Sequence, residues 1–297
     1  MTQQVTTPDV LIEAPPRVNE TKRFLRIFLG RGIVIFGMVF VLLFIIIAVF
    51  GPWLAPYPPN DISPDRLQNP GWSHWLGTDE FGRDSLSRLI IGSRNSLMVG
   101  VVAVGIAAGI GIIAGMAAGY YGGLISAVIM RIVDALMSFP MILLALLIAG
   151  LLGSGLSNVM IALGVAMIPV YARLMCGQVL SIRENDYVLA ARSMGSNNWR
   201  LMFRHVMPNS FPPLIVLVTM QIGSAVLAEA GLSYLGIGIT PPDPSWGAMV
   251  YNGFKFLLTN PLLSFIPGIA IMLVVFAFNM VGDGLRDALD PRLRGSI

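Results

Sequence analysis

The sequence predicts an all-α polytopic membrane protein with six transmembrane helices. The chain has 297 residues, of which 55% are hydrophobic and 12% are charged, and its mean hydropathy is +0.76. A soluble domain carries about 25% charged residues, so this composition excludes a soluble globular fold. Several long stretches carry no charge, and each is long enough to supply the roughly 20 apolar residues that a helix needs to cross a bilayer.

Taken in chain order, the predicted spans are separated by turn-forming residues. Pro56 closes the first span, and the Tyr-Tyr-Gly-Gly sequence from Tyr120 closes the second. The uncharged stretch 135–172 is too long for one helix, and the Gly, Ser and Asn residues at 153–158 divide it because they favour turns. The six spans are predicted at about 33–55, 96–119, 124–152, 159–181, 212–235 and 262–281.

The basic residues predict the orientation of these spans. Fourteen of the 19 Lys and Arg residues, with Arg131 and Arg173 counted among them, fall on the side of the two termini. Basic residues concentrate on the cytoplasmic side of membrane proteins. We therefore expect a cytoplasmic tail at 1–31, a first span at 32–55, an extracytoplasmic loop at 56–95, a five-helix core at 96–283 and a cytoplasmic tail at 284–297. Residues 1–20 lack an apolar core, so they are not expected to be a cleaved signal peptide.

A polar segment at residues 183–208, here called the cytoplasmic segment, interrupts the apolar core. It contains four arginines, two acids, one histidine and three asparagines. The pattern predicts a helix from 186, a turn at 195–198 and a second short helix at 199–207 that stops before Pro208. A projecting helix–turn–helix with apolar and basic side chains is suited to docking in a groove of a soluble partner.

The chain lacks the motifs of common catalytic sites. Its two lysines, Lys22 and Lys255, are not in a Walker A sequence, so ATP binding by that motif is excluded. The two histidines, His74 and His205, are predicted on opposite sides of the membrane, and no HExxH pair exists. We therefore expect no enzyme activity, no metal site and no cofactor. The basic pI of about 9.2 follows from membrane topology, so no nucleic-acid partner is expected.

Several features fall inside the predicted spans. The four-residue spacing of Gly111, Gly115 and Gly119 places them on one helix face, which indicates close helix packing or, alternatively, a moving gate contact. Pro140 and Pro169 are expected to kink their spans. An ion pair between Arg131 and Asp134 is expected because the two are three residues apart on one helix.

Glu229 is predicted to lie well inside the fifth span. An ionisable group at that depth is costly and usually faces the bundle interior, a cavity or a partner. Two roles remain open for it: a place in a translocation path or gate, and a satisfied structural hydrogen bond. If its charge serves transport, Glu229→Gln should lower transport while assembly stays intact.

The cytoplasmic segment resembles the EAA loop of permease subunits of binding-protein-dependent ABC importers. Ala190, Ala191 and Gly195 stand at matching positions, Pro208 closes the matching ending, and Leu189 stands where the family has Glu. Further motifs at 76–84, 130–134, 235–238, 241–247 and 282–291 follow in the same order as in the dipeptide/oligopeptide/nickel permease family, C-type subunit. The resemblance extends over about residues 22–294.

This resemblance implies the type I ABC importer permease fold in a bacterial or archaeal plasma membrane, surrounded by lipid. The implied partners are a second permease subunit, two ATPase subunits that hydrolyse ATP, and an extracytoplasmic substrate-binding protein. Dipeptides or oligopeptides are the expected substrates, although the family also takes nickel complexes and glutathione. The residues expected to couple the chain to the ATPases are Asp186, Ala190, Ala191, Arg192, Gly195 and Arg204.

Two rival interpretations are a stand-alone secondary transporter and a membrane scaffold without transport. The first predicts inverted repeats with paired broken helices, and the sequence contains no clear second copy of the cytoplasmic segment.

In the outer loop, Arg83 is flanked by Asp79, Glu80 and Asp84. That arrangement predicts an ion-pair network, with contact to a binding protein as the alternative.

Overall fold

The computed structural model describes residues 20–239 and 241–290, and every regular element in this part of the chain is a helix. Five helices are long and apolar enough to cross a membrane, and a bent pair of shorter helices supplies a sixth span. The predicted all-α fold with six transmembrane segments is thereby confirmed. The helices are α1 (Glu20–Leu29), α2 (Gly32–Leu54), α3 (Ser85–Tyr121), α4 (Gly123–Met137), α5 (Met141–Leu152), α6 (Leu156–Arg183), α7 (Asp186–Ser193), α8 (Asn198–Arg200), α9 (Met207–Tyr234), α10 (Trp246–Phe254) and α11 (Leu262–Leu289).

The centre of the bundle is the packing of α3 against α6. A methyl group added at Gly111 would lie 2.6 Å from Cβ of Tyr171, and one added at Gly119 would lie 2.8 Å from Cβ of Val179. Such contacts leave no room for a side chain, so the two backbones approach as closely as small residues allow. The interpretation of the glycine repeat as a packing face is therefore confirmed.

The second predicted span, 96–119, is the membrane part of a longer helix. Helix α3 begins at Ser85 because the carboxylate of Asp84 caps it, accepting hydrogen bonds from the Ser87 backbone N–H at 2.8 Å and the Ser87 hydroxyl at 2.7 Å. The last residues of the predicted outer loop, 85–95, are therefore helical and extend α3 beyond the apolar stretch.

The third predicted span is not a single helix. Helices α4 and α5 meet at an angle of 91° across the break at residues 138–140. Pro140 precedes the first residue of α5, and the backbone of Ser138 closes the end of α4 by donating to the Asp134 carbonyl at 3.1 Å. The intrahelical hydrogen bonds stop at the break and restart after it. The bend is therefore sharper than a proline kink within one continuous helix.

The helices on the terminal side were only partly predicted. Helix α1 lies within the predicted 1–31 tail, of which residues 1–19 fall outside the described part of the chain. Phe28 of α1 packs with Val34 of α2 and Ala288 of α11, and Arg31 forms an ion pair with Asp287. Helix α11 continues beyond residue 281, the predicted end of its span. Its polar end packs against α1 and α2, which cover it.

Candidate functional site

The cytoplasmic segment forms α7, a turn and α8, and then joins the fifth span without a stop. The second short helix was predicted to end before Pro208, and that prediction is wrong. A π-helical stretch, Leu201–Val206, continues directly into α9, and Pro208 lies in the first turn of that helix. Proline is tolerated in a first turn, where its missing N–H would have no intrahelical partner in any case. The segment is therefore continuous with α9.

Gly195 makes the turn between the two helices. Its φ of +81° is in the left-handed region, which costs a side-chain-bearing residue about 1 kcal/mol or more. The Ser196 N–H donates to the Ala191 carbonyl at 3.2 Å, and the Gly195 N–H donates to the Arg192 carbonyl at 3.0 Å. These two bonds form a Schellman motif, which explains why glycine stands at this position of the predicted pattern.

One face of the segment is anchored in the bundle. The anchoring side chains share the core cluster of α3 and α6, and they are Val188, Ala191, Leu201, Met202 and Val206. Two polar contacts fix the same face: the Tyr120 hydroxyl donates to the Asn198 side-chain oxygen at 2.9 Å, and Arg183 donates to the Gly119 carbonyl at 2.9 Å. The segment is thus a rigid extension of the helices rather than a free loop.

The opposite face is exposed and combines apolar with basic groups. Five of the six residues expected to couple the chain to ATPases lie on exposed surface, namely Asp186, Ala190, Arg192, Gly195 and Arg204. The sixth, Ala191, is only 5% exposed and belongs to the anchor. The structure therefore separates one anchoring residue from five that can meet a partner.

Large apolar side chains on this exposed face were not among the predicted site residues. They are Tyr187, Leu189, Met194, Trp199 and Phe203. The rings of Trp199 and Phe203 stack with centroids 4.8 Å apart, while Trp199 stays 66% exposed and Met194 81% exposed. The same segment also exposes Arg192, Arg200 and Arg204, and exposed apolar side chains together with arginine are typical of a protein interaction surface. The apolar residues of the segment were the signal available in the sequence. Only the burial of each side chain in the structure separates the anchoring residues from the exposed ones.

Glu229 has no exposed surface and lies at a junction of three helices. The Ser233 hydroxyl donates to one carboxylate oxygen at 2.7 Å, and the Ser96 hydroxyl donates to the other at 3.4 Å. The Trp246 backbone N–H donates in turn to the Ser96 hydroxyl at 3.2 Å. Of the two roles left open by the sequence, these contacts favour the structural hydrogen bond.

The two outer loops form one connected unit, here called the outer platform (residues 56–84, 236–239 and 241–261). Arg88 of α3 donates to the Pro59 carbonyl at 2.9 Å and to the Pro242 carbonyl at 3.4 Å, which joins the loops. Asn260 donates to the Leu67 carbonyl at 2.8 Å across the same boundary. These contacts hold the two loops in one fixed arrangement.

The predicted ion-pair network around Arg83 is present in part. Arg83 donates to Asp79 at 2.7 Å, and Arg88 lies 3.5 Å from the same carboxylate. Asp84 instead lies 2.9 Å from the His74 ring nitrogen, because it is held beneath α3 as its cap.

The prediction of an ion pair between Arg131 and Asp134 is wrong, since Asp134 pairs with Arg173 of α6.

The chain is a six-span bundle with a connected outer platform and a rigid cytoplasmic segment that exposes an interaction surface. This is the architecture of a transport permease. The chain matches the family described as binding-protein-dependent transport system inner membrane component over residues 111–295. It also matches the N-terminal transmembrane domain of oligopeptide transport permease C over residues 20–70. The chain therefore belongs to the binding-protein-dependent transport system inner membrane component family, and it is a permease subunit of an ABC importer.

Relatives cover nearly the whole chain. The dipeptide transport system permease protein DppC of Alkalihalophilus pseudofirmus is 43% identical over 261 residues, which is 88% of this chain and 86% of the relative. The glutathione transport system permease protein GsiD of Pectobacterium atrosepticum is 43% identical over 275 residues, 92% of this chain and 91% of the relative. The similarity thus includes both the outer platform and the cytoplasmic segment.

Solved structures support the fold. A structure described as an inward facing conformation of the MetNI methionine ABC transporter aligns with a TM-score of 0.57 and 20% identity, covering 68% of this chain and 96% of that one. A second crystal form of the same transporter aligns with the same TM-score and covers 69% and 97%. The type I ABC importer permease fold implied by the resemblance is confirmed.

Proposed function

We propose that this subunit imports short peptides together with a second, unlike permease subunit, two ATPase subunits and an extracytoplasmic binding protein. The relatives named for dipeptide and glutathione transport support this substrate class, because glutathione is itself a tripeptide. ATP hydrolysis is assigned to the partner subunits, since the chain has no Walker A sequence. Both termini face the cytoplasm, in keeping with the concentration of basic residues on that side.

The single observation that carries this proposal is the two-sided cytoplasmic segment. Its anchor side packs into the α3 and α6 core, while its exposed side carries Trp199, Phe203 and three arginines. A groove on an ATPase subunit could take the apolar side chains, and its acidic rim could pair with the arginines. When the ATPases close on ATP, the segment moves with them and shifts α9 between inward-open and outward-open states.

Glu229 is assigned to the outer end of the bundle rather than to the substrate. It ties α9 to α3 directly through Ser96, and to the start of α10 through the Trp246 backbone. Because the whole side chain is buried, it can hold these helices together while the cytoplasmic ends move apart. The outer platform above it offers the fixed surface on which a binding protein would deliver substrate.

Purification of the tagged chain from its own host tests the assembly. We expect a second permease and ATPase subunits to accompany it, and the reconstituted complex should take up a radiolabelled dipeptide only with ATP and the binding protein. A Trp199→Ser, Phe203→Ser double variant should recover at least tenfold less ATPase at unchanged membrane levels. Trp72→Ser, at an outer-platform side chain that is 99% exposed, is the matched control and should retain the ATPases. Full ATPase recovery with the double variant would refute the docking surface.

A further inference from the structure

Helices α4 and α6 carry an exposed ion pair within the segments predicted to span the membrane, in the half of the bundle next to the cytoplasmic segment. Asp134 of α4 pairs with Arg173 of α6, and their side chains are 55% and 52% exposed. Arg173 lies ten residues before the end of α6, which is about 15 Å along a helix axis. The cytoplasmic segment packs at Val179 and Ile182, nearer that end, so the ion pair lies on the bundle side of the segment, within the spans predicted at 124–152 and 159–181.

Charged groups at this depth do not face lipid. They are found facing a bundle interior, a water-filled cavity or a partner subunit. Arg131 is also exposed and lies one helical turn before Asp134 on α4. The three groups therefore carry a net charge of +1, and this excess charge would be costly against a dry protein interface but is readily hydrated in an aqueous path.

The helix break next to the pair is a second, independent observation. Helix α4 ends three residues after Asp134, and α5 begins after Pro140 at 91° to it. In transporters, substrate sites near the middle of the membrane are commonly built on discontinuous helices, whose interrupted ends offer free backbone polar groups. Here the first N–H groups of α5 and the Asp134–Arg173 pair lie within one turn of the same break.

We propose that Asp134 and Arg173, with Arg131, line the aqueous translocation path and hold the charged ends of a zwitterionic short peptide as it passes. The Asp134 carboxylate matches the ammonium end of such a peptide. The Arg173 and Arg131 guanidinium groups match its carboxylate, and each can bind that group through two parallel hydrogen bonds. In the absence of substrate the Asp134–Arg173 pair satisfies both charges. This inference rests on the proposed peptide import and adds the residues that meet the peptide inside the membrane.

Water accessibility gives the first test, because the sequence has a single cysteine, the buried Cys176. On a Cys176→Ala background, Asp134→Cys in the assembled transporter should react with a charged, membrane-impermeant methanethiosulfonate applied from the cytoplasmic side. Ile113→Cys is the matched control: Ile113 is 67% exposed and lies between Gly111 and Gly115, at the level of Tyr171. It should stay at least tenfold less reactive if it faces lipid. An Asp134→Cys thiol that reacts only after denaturation would overturn the proposal and place the pair in a permease–permease interface.

The second test separates a transport role from a structural one. In proteoliposomes, Asp134→Asn and Arg173→Gln should each lower ATP-driven dipeptide uptake at least tenfold, while binding-protein-stimulated ATP hydrolysis stays within twofold of wild type. A parallel fall in both activities, or loss of the assembled complex, would mean that the pair only supports the fold. If wild-type vesicles take up no peptide, the proposed function fails, and the labelling result still decides whether the pair faces water.

Discussion

Gly195 shows how one dihedral angle fixes the shape of the candidate docking surface. Its left-handed conformation ends α7 and directs the chain into α8, so that Trp199 and Arg204 come to the same exposed side as Arg192. An added Cβ at Gly195 would meet nothing within 4 Å in this chain. The glycine is thus required by the backbone, and any further restriction must come from a partner.

We expect Gly195→Asp to keep the subunit in the membrane but to abolish uptake. Aspartate tolerates the left-handed conformation better than most residues, but it adds a buried negative charge where an ATPase would cover the surface. Gly195→Asn, which has the same shape without the charge, should keep a measurable part of the uptake rate. Uptake assays in proteoliposomes, with membrane levels measured by immunoblot, provide the comparison. Normal uptake by the aspartate variant would contradict the assignment of Gly195 to the interface.

At the residue scale, the sequence located the site but not its two sides. The alanine and glycine positions of the cytoplasmic segment were recognised from the pattern alone. The separation of the buried Ala191 from the exposed Ala190 depends on how α7 rotates against α3 and α6, which no local pattern specifies. Leu189, noted from the sequence as a departure, belongs to the exposed apolar face at 40% exposure.

At the scale of elements, the outer ends of α3, α9 and α10 are joined by one buried hydrogen-bond chain. Glu229 accepts from Ser96, and Ser96 accepts from the first residue of α10. The Trp246 indole N–H also donates to the Leu89 carbonyl at 3.0 Å, and its ring meets Phe44 of α2 edge-on at 5.6 Å. Four helices therefore share one fixed outer junction.

Replacement of Glu229 should distinguish a hydrogen-bonding role from a charge requirement. Glu229→Gln keeps one oxygen for Ser233 and can pair with Ser96, so we expect assembly and uptake within about twofold of wild type. Glu229→Leu leaves both hydroxyl hydrogens without their acceptor and should destabilise the subunit by roughly 1–3 kcal/mol per unsatisfied group. Thermal melting of the purified complex and dipeptide uptake measure the two effects. A glutamine variant that assembles normally but transports at least tenfold less would show instead that the charge belongs to a path or gate.

The elements themselves were predictable to different degrees. Charge-free length sufficed for α2, because hydrocarbon thickness sets that length, whereas α6 and α11 continue past the charged residues Arg173 and Asp283. The break between α4 and α5 was not predicted as a right-angle bend, since a proline within a predicted span indicates a kink but not its angle. The continuous passage from α8 into α9 was missed because a π-helical stretch has no sequence signal comparable to that of proline.

At the scale of the whole molecule, the orientation in the membrane can be tested with two exposed tryptophans at opposite ends. Trp72 on the outer platform is 99% exposed and Trp199 on the cytoplasmic segment is 66% exposed. On the Cys176→Ala background, Trp72→Cys should react with an impermeant thiol reagent on intact cells whose outer barrier is opened. Trp199→Cys should react only in inverted vesicles from cells that lack the ATPase subunits, which would otherwise cover this position. The reverse pattern would overturn the predicted orientation and the coupling proposal with it.

The two ends of the molecule are held by different kinds of contact. Arg88 and Asn260 connect the outer loops to each other, whereas the cytoplasmic segment is connected to its own helices and presents its other face outward. The loops of the outer platform hold one end of the bundle together, while the cytoplasmic segment exposes a docking surface at the other end. A bundle built in this way can transmit force from the docking surface to the helices. This asymmetry is a property of the folded chain and not of any one segment.

The sequence by itself determined the class of the protein, the number of its spans, their predicted orientation and the position of the cytoplasmic segment. Those properties follow from hydrocarbon thickness, from the charge balance across the membrane and from local turn chemistry, all of which are written along the chain. Only the tertiary structure decided that Asp134 pairs with Arg173 rather than Arg131, that Glu229 is enclosed by hydroxyls, and which face of α7 stays exposed. The physical reason is that partners and burial depend on how helices rotate and pack against one another, and residues distant in the chain set that packing together.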